Sequence, residues 1–188
     1  MISLMNGQVY THTLDDWEIC WESDGEYRHW CTQKRQGQRK TLLVIMFNPG
    51  SLNKDGSNLR KDTTLRILRE VCGHAGFNQV ILNLFDYAAP NPDDFFNNWQ
   101  DRDKSLALIY QHINKFKYDN YIFAYGDFEN SRSSFNQGIR ERVEHISSIL
   151  DSTKKIELPK NKRGTPKHPT LWQRQRIKPE IAEILAFP

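Results

Sequence analysis

Apolar positions along the chain fall into two kinds of run. "TLLVIMFNPG" (41–50) is continuous and ends at Pro-Gly, the pattern of a strand covered on both faces. "NQVILNLFDY" (78–87) repeats it before the turn "APNPDD", and "NYIFAYGD" (120–127) repeats it again, stopping at a glycine. "KKIELP" (154–159) is a shorter fourth run. Between the runs the apolar spacing becomes helical. Asp62-Thr63-Thr64 opens "LRILREVCGHAG", where Leu65, Leu68 and Cys72 recur on one face and Gly73 and Gly76 close the segment. Asp94 to Lys117 predicts one or two helices around Leu106, Ile109, His112 and Ile113. "GIRERVEHISSILDST" (138–153) sets Ile139, Val143, Ile146 and Ile149/Leu150 on one side of another.

Strands alternating with helices predict an α/β fold, a parallel sheet with helices on both faces. Ligands of such sheets sit beyond the carboxyl ends of the strands. That rule selects Asn48-Pro49-Gly50, Asn83-Leu84-Phe85, Gly126-Asp127 and the basic loop 160–170, which should converge on one cleft. No repeat, low-complexity stretch or linker interrupts the 188 residues, so a single domain is expected. Residues 1–40, with Trp17, Trp21 and Trp30, are expected to form a β-hairpin or cover packed on the sheet.

Composition changes this picture little. Apolar content of 38% with 12% aromatic suits a folded chain. No apolar run approaches the roughly 20 residues of a membrane-spanning helix. "MISLMNGQVYTHTLDD" lacks the basic start and long apolar stretch of a signal peptide. A soluble cytoplasmic protein with no membrane contact is therefore the expectation. Cys20, Cys31 and Cys72 are too few for a disulfide framework, and their spacing matches no metal pattern, so neither a metal nor a cofactor is expected.

Charge changes it more. The net charge is +3, but Asp151 to Lys178 holds nine basic residues against two acidic, and "KRQGQRK" (34–40) adds four more positive charges. Such patches are either solvated surface or a footprint for phosphates.

The candidate residues each carry two readings. Asn48 can cap a turn, or present its amide at the cleft floor to hold a water. Asn83 stands in a strand, where asparagine is disfavoured. It either bonds a neighbouring loop or reads the edge of a planar base with its adjacent donor and acceptor. Phe85 offers a stacking face or belongs to the core. His168, in "KRGTPKHPTLW" (162–172), is a structural residue or a donor in the cleft. No nucleophile elbow, Walker loop or dinucleotide fingerprint is present. Asparagine, asparagine, glycine and histidine on successive strand ends suit a reaction with a positioned water and a departing anion.

The ordered series "FNPGS", "VILNLF", "IFAYGD" and "KHPTL" resembles the uracil-DNA glycosylase superfamily. It is most similar to a prokaryotic branch with N-P-S, D-P-T, N-L-F and T-x-x-G-x-P-x-H-P motifs. The resemblance covers residues 41–172, the motif-bearing core, within one glycosylase-like domain over 1–188. It implies a three-layer α/β/α sandwich with a four-stranded, mainly parallel sheet. It implies a monofunctional DNA glycosylase, acting as a monomer on double-stranded DNA with the target base flipped out, leaving an abasic site. Asn48 and His168 take the catalytic positions; Asn83, Phe85, Gly50 and Ser51 surround the base; Lys162, Arg163, Gly164, Lys167 and Thr170 face phosphates. Asparagine stands at Asn48 where the fastest uracil enzymes have aspartate, and Thr170 replaces the usual serine. Gly50-Ser51 replaces a bulky aromatic, which implies a roomier pocket for a modified cytosine such as glucosylated hydroxymethylcytosine, and a role in antiviral defence. A binding module that has lost catalysis, or a hydrolase of free nucleotides or nucleosides, are the alternatives.

Overall fold

Seven residues without an interruption, Lys40–Met46, make the central strand, and their alternation decides the layers. Leu42, Val44 and Met46 enter one apolar cluster, while Leu43 and Ile45 with the following Phe47 enter another on the opposite face. The computed structural model describes residues 9–14, 16–22, 26–50, 62–89, 92–102, 105–128 and 133–187. Its strands are β1 (Val9–Leu14), β2 (Trp17–Glu22), β3 (Arg28–Gln33), β4 (Lys40–Met46), β5 (Phe77–Asn83) and β6 (Asn120–Phe123). They form one six-stranded sheet in the order β1-β2-β3-β5-β4-β6. The helices are α1 (Thr63–His74), α2 (Pro92–Arg102), α3 (Ser105–Lys115), α4 (Ser133–Ile149), α5 (Pro169–Arg174) and α6 (Lys178–Ala186). Apolar residues of α1, α5 and α6 cover one face of the sheet, and those of α2, α3 and α4 the other. This is an α/β fold.

The structure corrects the expected sheet and its expected fourth strand. The sheet is six-stranded and mixed, not four-stranded and mainly parallel. Only β5, β4 and β6 are parallel. Of the β-hairpin or cover expected for residues 1–40, the described residues show hairpin pairing that belongs to the sheet itself: β1, β2 and β3 form an antiparallel meander that joins it through β3 and β5, with Cys31 opposite Ile81. The predicted fourth strand, 154–159, is a 3₁₀ turn (Ser152–Lys154) followed by an extended segment. That segment makes a single parallel bridge, Tyr121 to Lys155, with the Ile156 amide donating to the Tyr121 carbonyl at 2.9 Å. Ile156 and Leu158 are buried, while Lys155 and Glu157 are exposed, so the alternation that predicts a strand is real. β6 offers only four residues to pair with, and Pro159 has no amide to extend the ladder.

Pairing continues past the strand ends on the side that matters. Leu84 N–H bonds Met46 O at 2.8 Å, Phe85 N–H bonds Phe47 O at 3.0 Å and Ala124 N–H bonds Ile45 O at 2.9 Å. These bonds fix the tips of β4, β5 and β6 relative to one another. Among the described residues no helix is long and apolar enough to cross a membrane.

Candidate functional site

A cavity of about 180 Å³ opens beyond the carboxyl ends of β4 and β5. At ~30 Å³ per water this is room for a single heterocyclic ring. The start of α1 and the turn before α5 complete its walls. Asn48, Gly50, Asn83 and His168 all line it, as the strand-end rule predicts, together with Arg28, Asp62, Phe47 and Phe128.

Asn83 ends β5 and is 4% exposed, yet neither its amide nitrogen nor its oxygen has a hydrogen-bond partner. An unsatisfied buried polar group costs ~1–3 kcal/mol, and this one lines the cavity. Arg28 opens β3 and is equally buried at 4%, with Nε and Nη1 also without partners. Its backbone N–H is fixed by Asp86 O at 3.0 Å. Burial lowers its pKa, but a guanidinium keeps its charge in any protein. The cavity therefore presents an amide with donor and acceptor side by side, next to a desolvated cation.

Asn48 follows β4 by two residues. Its amide nitrogen donates to Pro49 O at 3.0 Å and to Ala89 O at 3.5 Å, which leaves the side-chain oxygen as the free end of the group. One end of the side chain is thus tied to the turn while the other is not.

His168 caps α5, with Pro169 in the first turn. Its Nδ1 accepts the Thr170 backbone N–H at 3.3 Å and lies 2.9 Å from the Thr170 hydroxyl. A nitrogen that accepts a backbone N–H carries no proton, so the neutral ring is protonated at Nε2. Burial pushes the pKa down to about 4; the Asp62 carboxylate opposes this shift and Arg174 adds to it. At neutral pH His168 is an uncharged donor through Nε2. Gly126 makes the approach possible: its φ is +91°, and a Cβ there would lie 3.2 Å from His168 Cβ.

Asp62 caps α1, Oδ1 accepting the Leu65 N–H at 2.9 Å. Phe47 and Phe128 stack at 4.3 Å with 19° between ring planes, an aromatic wall of the kind on which planar rings pile.

Other predicted site residues lie elsewhere. Phe85 is not a pocket face; it is 1% exposed in the aromatic core, 4.9 Å from Phe95 and 5.3 Å from Trp99, with the Arg142 guanidinium 4.3 Å from its ring. Thr170 binds His168, so its hydroxyl is committed to the imidazole and not to a phosphate. Lys162, Arg163 and Gly164 form the exposed tip of a turn closed by the Lys160–Pro166 bridge and anchored by Thr165 Oγ1 donating to Asp127 at 2.8 Å. They stand outside the cavity. Lys167 is half-buried, its carbonyl taken by Trp172 Nε1 at 3.0 Å. Ser51 lies outside the described residues. Cys20, Cys31 and Cys72 are buried free thiols, pushed by burial to about 11, 12 and 12, and hence protonated at neutral pH.

Sequence reasoning misses Arg28, Asp62 as a wall, and the Phe47–Phe128 stack. Arg28 carries one usable signal, a lone arginine between two aromatic positions, Tyr27 and Trp30, in a segment otherwise reading as buried strand.

A family model described as a protein of unknown function, DUF1643, matches residues 27–170. No curated protein and no solved structure matches the chain. The matched stretch begins one residue before Arg28 and ends two residues after His168, so it spans every residue that lines the cavity. The chain belongs to the DUF1643 family.

Proposed function

We propose that this protein is a DNA glycosylase of the uracil-DNA glycosylase type, which hydrolyses the N-glycosidic bond of a base flipped out of duplex DNA. The parallel strands β4, β5 and β6, with helices above and below, then form the three-layer α/β/α core of that superfamily. The observation that carries the reading is the Asn83 amide, buried and unbonded in a ring-sized cavity beside an Arg28 guanidinium with two unbonded nitrogens.

In this reading the flipped base enters beside the Phe47–Phe128 wall. Asn83 offers donor and acceptor to its edge. Flipping costs a few kcal/mol, and these contacts offset it. Asn48 holds the attacking water through its free oxygen. As the bond from C1′ to the base nitrogen breaks, its electron pair leaves with the base. The negative charge that develops faces the Arg28 guanidinium and the Nε2–H of His168. Each preplaced donor of this sort is worth roughly 3 kcal/mol, or about a hundredfold in rate. A neutral histidine suits the role because it donates without requiring a charged ring in a dry site. Lys162, Arg163 and Lys167 clamp phosphates of the flanking DNA from outside the cavity.

A modified cytosine is the favoured substrate class. Among the described residues, only the Asp62 carboxylate comes within 4 Å of a notional side chain on Gly50, at 3.9 Å, and a small residue at this wall favours a substituted ring.

The test is formation of abasic sites on duplexes carrying uracil, hypoxanthine or glucosylated hydroxymethylcytosine. Alkali-labile breaks at one of these are expected. Tight binding without breaks on any of them would leave a binding module, and cleavage confined to free nucleosides would leave a nucleoside hydrolase.

A further inference from the structure

Hydrolysis releases a proton from the attacking water, and few groups on the cavity wall can take it. Asn48 can orient a water but cannot act as a base, and Asn83 is an amide too. Nδ1 of His168 already accepts from Thr170, and its Nε2 carries the ring proton. Arg28 is a permanent cation. Among the described residues that line the cavity, Asp62 is the one carboxylate. Its placement is built in. The bond from the Leu65 N–H holds Oδ1 at 2.9 Å, and Oδ2 lies 3.9 Å from where a side chain on Gly50 would begin. The second oxygen is therefore turned toward the Asn48-Pro49-Gly50 turn, the same turn that presents the Asn48 oxygen.

We propose that Asp62 is a catalytic residue that accepts the proton of the water held by Asn48, an assignment that rests on the glycosylase reading above. The water oxygen bonds C1′ as the C1′–base bond breaks, the water proton passes to Asp62 Oδ2, and the base departs with the bonding electron pair. The carboxylate also stands by the sugar while that sugar bears positive charge. Helix capping and catalysis then share one side chain, one oxygen for each.

That division makes the assignment separable. Asparagine and serine cap helices about as well as aspartate, so Asp62→Asn and Asp62→Ser keep the start of α1 while removing the base. Both should fold with the wild-type thermal midpoint and bind substrate duplex with unchanged Kd, while single-turnover excision falls about a hundredfold or more. Asp62→Ala should show the same fall in rate and also a lower midpoint. An Asp62→Asn protein that excises at the wild-type rate, or one whose slower rate is matched by weaker DNA binding, overturns the proposal. The two levels separate in the wild-type arm. If the wild type releases no base from any of the three duplexes, the glycosylase reading falls and Asp62 with it; if it does release one and Asp62→Asn is as fast, Asp62 alone falls.

Discussion

The same pair of strands, β3 and β5, carries a buried polar pair at each end, and the two pairs are built differently. At one end Gln79 Nε2 donates to Gln33 Oε1 at 2.7 Å, and Gln33 Nε2 donates in turn to Asp16 at 2.7 Å, although Gln79 Oε1 and Asp16 Oδ1 themselves have no partner. The two glutamines lie directly opposite one another in the ladder. At the other end Arg28 and Asn83 are as deeply buried, but the Asn83 amide and two of the Arg28 nitrogens have no hydrogen-bond partner, and both side chains line a cavity. Bonded polar groups in a core fix register and are structural. Polar groups that line a cavity are open to partners from outside the chain, water or a ligand. Side-chain bonds link the residues of the first end to one another, whereas those of the second line a cavity, and that difference argues that the site lies at the Asn83 end.

The sharpest way to break the comparison is to remove the polar group from each end. Asn83→Leu should reduce excision by at least about 10³-fold, since a site built to bond a polar group discriminates strongly when that bond is missing. The same change should leave thermal stability equal or higher, because a buried unsatisfied amide disappears. A large drop in stability would mean that Asn83 is structural after all. Asn48→Ala should slow excision by about 10²-fold with DNA affinity kept, as misplacing one reactant costs that much; a parallel drop in affinity would assign Asn48 to the turn alone. At the opposite end Gln79→Leu should destabilise the fold by ~1–3 kcal/mol, because Gln33 is left without its donor, while excision by the folded fraction stays at the wild-type rate.

A finer contrast lies between two histidines, His112 buried and His168 half-buried. Burial pushes both His168 and His112 down from 6.5 to about 4. The unfolded chain therefore binds protons first as pH falls. The stabilisation is complete above pH 6.5 and is lost as pH falls through the window toward 4, by ~3 kcal/mol for each group. His112 stacks on His29 at 5.2 Å and is absent from the cavity wall, whereas His168 lines the cavity. His112→Gln and His168→Gln should each flatten the acid decline of stability in thermal melts, and only the second should also slow excision. The smallest effect concerns the loop tip. Neutralising Lys162 and Lys167 should reduce the slope of log K against log salt by ~0.9 for each phosphate that the loop then leaves unneutralised, with the single-turnover rate on saturated enzyme unchanged. An unaltered slope would take this loop out of the DNA interface.

Much of this site is legible in the sequence because it is governed by local rules. The runs at 41–50 and 78–87 predict strands buried on both faces, and ligands collect where such strands end, so Asn48 and Asn83 follow directly. His168 follows less directly, since the segment 154–159 that precedes its loop is extended beside β6 without being a strand, and "HPT" is also a cap with proline in the first helical turn, which is what fixes its tautomer. Arg28 is not legible that way. It reaches the cavity through an antiparallel meander that pairs Cys31 with Ile81, fifty residues further along the chain, and nothing local announces that pairing. Sequence points to Phe85 over Phe47 and Phe128 for a related reason. Which aromatic faces the pocket depends on register and on the twist of the strand tip, not on its nearness to Asn83. The segment 154–159 alternates like a strand but finds only an edge four residues long, a fact about its neighbour.

Release of free base, measured by mass spectrometry from duplexes carrying uracil, hypoxanthine or glucosylated hydroxymethylcytosine, is the most direct test of the central claim. The wild type should release one base stoichiometrically and leave an abasic site, and Asn83→Leu, folded and equally stable, should release none in the same time. No release by a wild type that binds the duplex, or equal release by Asn83→Leu, would contradict it.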